Sequence, residues 1–165
     1  MSNDKSLKET GRCAAASIVE MVAALECDYE RLEELRELAS RYENVQDFGN
    51  NEPDAIEEIQ ELEKAAGESE SGEIAIERIQ EDALSVEVRA DWHAVGDVPD
   101  TANGQFVILL STGGPASRIQ GELSNGEPHR AWLEVQDWGT PWTQYFDIEQ
   151  DTLLAYARCF YFGEG

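Results

Sequence analysis

Four side chains in the second half of this 165-residue chain have the types that acid–base chemistry uses: Asp91, His93, His129 and Asp137. A carboxylate that orients an imidazole can activate a nucleophile. The nucleophile is what the sequence lacks. Ser111 and Ser117 stand in no strand–turn–helix elbow, and Cys13, Cys27 and Cys159 have no recognisable catalytic surroundings. TGGP at 112–115 is far short of a phosphate-binding GxxxxGK[ST] loop. No catalytic residue is assigned, and the chain is not expected to be an enzyme.

Carboxylates also hold metals. A di-iron bundle needs Glu-x-x-His pairs, and neither histidine lies in the part of the chain that reads as helical. NNEPDAIEEIQE lacks the alternating ligands and central glycine of a calcium loop. No metal site and no cofactor is assigned.

The stronger chemical signal is the density of carboxylates. The segment DYERLEELRELASRYE, 28–43, places Glu30, Glu33, Glu34 and Glu37 opposite an apolar stripe, with Glu26 just before it. Further on, Asp54, Glu57, Glu58 and Glu61 follow the i, i+3, i+4, i+7 spacing of one helical row. Like charges at that spacing cost a few tenths of a kcal/mol per pair, roughly. Lys64 is the only lysine after Lys8, although Arg31, Arg36 and Arg41 supply some pairing.

Such a row reads in more than one way. Solvated faces of helices rich in Glu, a good helix former, account for it without any partner. A polyanion mimic accounts for it too. One DNA strand carries a phosphate about every 3.4 Å, and a helix rises about 1.5 Å per residue. An acid at every second or third position approaches that linear density. Acidic adaptors, chaperones of basic proteins and adventitious cation-binding surfaces complete the alternatives.

The loop WGTPWTQYF holds Trp138, Trp142, Tyr145 and Phe146 around Gly139 and Pro141. Exposed, these aromatics would bind a protein or stack on a sugar. The favoured reading has them covering a sheet and fixing a wide turn. Trp138, Trp142 and Tyr145 are the secondary candidate patch.

The elements that must position these residues follow from periodicity. Ile18, Val22, Leu25, Tyr29, Leu32, Leu35, Ala39 and Tyr42 recur at steps of three and four, which predicts a helix from about Ser6 to Tyr42 that Gly11 divides early. Asn44 to Pro53 reads as loop. A second helix starts near Pro53 with Ala55, Ile59, Leu62 and Ala66 inward, antiparallel to the first. A third, 73–82, turns Ile74, Ile76 and Ile79 inward. Beyond Ala83 the pattern changes to alternation. Leu84, Val86 and Val88, then 105–112, 117–123 and 129–136 read as four strands, with Asn125-Gly126 as a hairpin turn. A helix over 151–161, capped by Asp151 and stopped by Gly163, closes the chain. The expectation is one α+β domain: an acidic helical hairpin in 6–82, then in 83–165 a small antiparallel sheet of about four strands with a C-terminal helix packed on it.

Charge limits the partners. Asp and Glu number 35 against 12 Lys and Arg, for a net charge of -23. Of this, -15 falls in residues 26–82. Direct contact with nucleic acid and with anionic membranes is disfavoured, and a basic protein surface is the natural partner. Three cysteines without close pairing predict free thiols, and a polar N-terminus without a signal-like apolar stretch predicts a cytoplasmic protein. The helical stripe could also pair across a homodimer.

The runs ERIQEDALSVEVRADWH, ILLSTGGPASRIQGEL, LEVQDWGTPWTQY and LLAYARCFYFGE resemble uncharacterised small acidic proteins of proteobacterial prophages, plasmids and other mobile elements, over residues 77–164. The resemblance implies no site residues. It implies a context in which small acidic proteins disarm restriction or CRISPR machinery. The resulting expectation is a nucleic-acid mimic, an anti-CRISPR or antirestriction inhibitor, that occupies the basic DNA- or RNA-binding surface of a host defence protein. Glu30, Glu33, Glu34, Glu37, Asp54, Glu57, Glu58 and Glu61 would supply the contacts. The alternative is a phage or plasmid adaptor that binds through its aromatic loop.

Overall fold

The structure is a computed structural model, described for residues 2–163 and, for side chains, from Asp4 onward. The element order is α1 (Ser2–Glu26), α2 (Tyr29–Ala39), α3 (Val45–Asn51), α4 (Pro53–Ala66), α5 (Gly72–Asp82), β1 (Ser85–Arg89), β2 (Gln105–Ser111), β3 (Ala116–Ser124), β4 (Glu127–Gln136), β5 (Thr143–Tyr145) and α6 (Gln150–Ala157). The fold is α+β, with five strands where about four were expected. It divides into two compact units: residues 20–77, and the stretch up to Val19 together with everything from Arg78 onward.

The stripe predicted as one helix is carried by two. The chain breaks at Cys27-Asp28, where the Asp28 carboxylate accepts from the Arg31 N–H at 3.0 Å and caps α2. Gly11 does not divide α1. A Cβ there would strike the ring of Tyr145, so the glycine serves close packing. The expected loop before Pro53 contains α3, whose N-cap Asn44 accepts from Asp47 N–H at 2.7 Å and which buries Phe48. On α5 it is Ala75 and Ile79 that are buried, whereas Ile74 and Ile76 are exposed.

In the helical unit α2 and α4 pack together through Leu32 and Leu35 of α2 and the half-buried Ile59 and Leu62 of α4. The chain turns back through α3, with the Tyr42 hydroxyl on Glu52 and the Cys27 thiol on the Leu62 carbonyl.

The strands form one sheet in the order β1-β2-β3-β4-β5, every pair antiparallel. Ser124 pairs with Glu127, which leaves Asn125 (φ 52°) and Gly126 (φ 82°) as the two-residue turn. Positive φ at both positions is what this hairpin requires, and Asn-Gly supplies it. One face of the sheet carries Phe106, Ile108, Ile119, Leu133 and Val135, all buried, and α6 packs on β4 with Leu153, Leu154, Tyr156 and Ala157 inward. Helix α6 begins at Gln150 with Glu149 at its N-cap, without a side-chain bond, so Asp151 lies inside the first turn and is not the cap. It ends at Ala157, short of Gly163.

Candidate functional site

The acidic row lies where the helix periodicity places it. Glu30, Glu33, Glu34 and Glu37 of α2 and Asp54, Glu57 and Glu61 of α4 are exposed; Glu58 is half-buried. Two arginines bridge the helices. The Arg31 guanidinium donates to both carboxylate oxygens of Glu58, at 2.8 and 3.1 Å, and to Glu34 at 3.3 Å. Arg36 reaches Glu63 at 3.3 Å. The Arg31 hydrogen bond holds the Glu58 carboxyl below the usual carboxylate range. A bidentate fork fixes orientation as well as charge.

Arg31 therefore engages two acids of the row: Glu58, through which it joins α2 to α4, and Glu34, three residues along its own helix. The remaining six carboxylates, Glu30, Glu33, Glu37, Asp54, Glu57 and Glu61, have no ion pair among the described residues. On α4 the row from Asp54 to Glu61 spans about 10 Å. This arrangement presents exposed negative charge without ion pairs among the described residues.

The secondary patch is partly absorbed by the sheet. Trp142 is half-buried with the Arg118 guanidinium 4.1 Å from its ring centroid, and Arg118 in turn donates to Glu134 at 2.8 Å. Tyr145 pairs with Leu133 in β5 and packs on Gly11. Trp138 lies against Gly114 yet remains 77% exposed. Trp142 and Tyr145 thus pack against the sheet unit, while Trp138 and Phe146 face solvent.

The acid–base candidates do not form a site. Asp91 accepts from the Trp92 N–H, and His93 Nδ1 lies 3.2 Å from the Ala94 carbonyl. Both line a cleft of about 510 Å³ without His129 or Asp137. His129 lies beside Glu122, at 3.7 Å. Asp137 is eight residues further along and just past the far end of the same strand, about 26 Å away at strand rise. The Ser6 hydroxyl, and then the Trp138 N–H, hold its carboxyl below the ordinary value, so it stays ionised. Among the described residues, no group of three or more His, Cys, Asp or Glu is arranged to hold a metal, and no helix is long and apolar enough to cross a membrane. Cys13, Cys27 and Cys159 are free thiols.

Sequence reasoning passed over the loop between β1 and β2. Trp92, Val95 and Val98 are almost wholly exposed there. The signal was present in DWHAVGDVP: apolar residues that fit neither a helical nor an alternating period, set among Gly96, Pro99 and acids.

Compared with protein-family models, with curated proteins and with solved structures, the chain matches none.

Proposed function

We propose that the protein is a binding inhibitor whose α2–α4 face stands in for a nucleic-acid backbone. It acts in the bacterial cytoplasm on the basic DNA- or RNA-binding surface of a host defence protein, of restriction or CRISPR type, and catalyses no reaction. The observation that carries this reading is the set of six unpaired, exposed carboxylates on two helices clamped to each other by Arg31 and Arg36. A rigid array keeps its field without an ordering cost on binding, and electrostatic attraction speeds encounter with a basic groove. The resemblance to mobile-element proteins supplies the defence context.

The test uses charge reversal that spares the clamp: Glu30, Glu33, Asp54 and Glu57 to Lys, with Arg31, Glu34 and Glu58 retained. Wild type immobilised at low salt is expected to capture a nucleic-acid-binding protein and to displace a fluorescent duplex or guide RNA from it, an effect that fades steeply toward high salt. The reversed protein should capture nothing. Equal capture by the two forms at every salt concentration, with circular dichroism unchanged, would overturn the reading.

A further inference from the structure

The sheet has two edges. On one, β5 is three residues long. On the other, β1 is five residues long, and among the described residues its far side pairs with no strand. Proteins usually blunt such an edge with proline, a bulge or a lysine, because unpaired N–H and C=O groups invite another strand. The sequence SVEVR has neither proline nor lysine, its charges are Glu87 and Arg89, and its register with β2 runs unbroken from Ser85 to Arg89.

The apolar surface gathers at the same place. Leu84 is 59% exposed and Val88 39%, while in the loop that follows Trp92 is 100%, Val95 104% and Val98 87% exposed. Single exposed apolar residues are ordinary; five within fifteen positions, on and beside an open edge, mark an interaction surface. The local charge chooses the partner. Residues 84–104 hold Glu87, Asp91, Asp97 and Asp100 against Arg89 alone, and Arg89 is engaged by the Gln105 side chain at 2.7 Å.

We propose that the β1 edge and the β1–β2 loop form a strand-addition site for an extended segment of another protein in which apolar and basic residues alternate. The pleat dictates the alternation. Val86 and Val88 lie on the sheet face that holds Ile108 and Phe106, so apolar residues of the added strand extend that face. Ser85 and Glu87 lie on the other, where basic residues meet Glu87. Trp92, Val95 and Val98 then have a strand to close on. A second copy of the chain fits worse. Two β1 strands paired about Glu87 set like carboxylates opposite each other, roughly 5 Å apart, and each copy brings a net charge of -23. The proposal uses none of the α2–α4 carboxylates, so it stands or falls separately from the inhibitor reading.

The probes are two synthetic decapeptides of equal composition, five alternating Lys-Val repeats and a block of five Lys followed by five Val, together with a Glu-Val repeat. Each is titrated into the full chain by calorimetry, with amide hydrogen exchange read residue by residue. The alternating Lys-Val peptide is expected to protect the β1 amides at least tenfold and to bind at least tenfold more tightly than the block or Glu-Val peptides. Trp92→Ala with Val95→Ser, and separately Glu87→Lys, should each weaken it about tenfold. Val88→Pro should abolish β1 protection; were that variant unfolded, the other two still decide. Equal binding of the alternating and block peptides, or protection confined to α2 and α4, overturns the proposal as non-specific polycation binding. Protection of β1 without peptide, accompanied by a dimer in sedimentation, overturns it in favour of self-pairing.

Discussion

Residues 20–77 carry nineteen acids against four bases; the rest of the chain carries sixteen against eight. The two units also treat their charges differently. In the sheet, charges face each other across strands: Arg118 is registered with Glu134 and joined to it at 2.8 Å, and Arg130 with Glu122 at 3.2 Å. In the helical unit six acids of the α2–α4 row stand without ion pairs among the described residues. Core packing differs in parallel. The inward sheet positions Phe106, Ile108, Ile119 and Leu133 are essentially sealed, as are Leu32, Leu35 and Phe48 in the helical unit, but on α4 only Ala66 is buried and Ile56, Ile59 and Leu62 are half-buried. Unpaired acids of the row are thus gathered on the helices, beside a lightly buried α4.

The contrast between the two units can be measured. Phe106 sits against Phe162, with ring centroids 4.9 Å apart, and over Gly121. Phe106→Ala is expected to cost the sheet unit about 3–5 kcal/mol. Leu62→Ala in α4 should cost the helical unit clearly less, roughly 1–2 kcal/mol, because that side chain is only half-buried. Hydrogen exchange resolved by unit is the measurement, and equal losses would dissolve the distinction.

A smaller effect separates the units by pH. Burial, then the hydrogen bond at 2.6 Å to Asp82, raise the Tyr156 phenol above its ordinary value of 10.0. The fold holds the neutral phenol. Its contribution is therefore complete below pH 10 and is lost progressively as the pH rises past that value. Tyr156→Phe should lower stability near neutrality by about 1 kcal/mol and make the alkaline decline of the sheet shallower; an unchanged decline would show that other groups cause it.

The smallest effect concerns the acids. Glu57→Lys with Glu61→Lys should stabilise the helical unit by a few tenths of a kcal/mol per relieved pair, roughly. Added salt should do the same for wild type and little for the sheet unit. Destabilisation by either would mean that those carboxylates have favourable partners.

How much was legible follows from how local each signal is. The alternation of β2 to β4 and the Asn125-Gly126 turn are set by neighbouring residues, and the sequence was enough to place them. The acidic faces of α2 and α4 follow from the helical period alone. The clamp by Arg31 was not legible, because Arg31 could pair with any of several nearby acids, and only the packing of α2 on α4 brings Glu58 within reach. Gly11 was misread for the same reason: in sequence it is a helix breaker, but here the ring of Tyr145, 134 positions later, occupies the space a side chain would need. Strand β5 was missed because three residues in an aromatic loop carry no period. The exposure of Trp92 was passed over because an indole alone reads as core, although the aperiodic DWHAVGDVP around it carried the signal.

The first helix begins in the same unit as the sheet, and the helical unit is inserted between them. During synthesis on a ribosome, Ile18 leaves the tunnel well before Leu110, Ser111 and Ser117, with which it lines one cleft, and Gly11 before Tyr145. At about 5–20 residues per second the wait is on the order of ten seconds. The leading segment is thus made well before the sheet residues it meets, and residues 20–77 are made in between. Synthesis thus sets an order of events: residues 20–77 are complete before the sheet exists, and the stretch up to Val19 meets its sheet neighbours last.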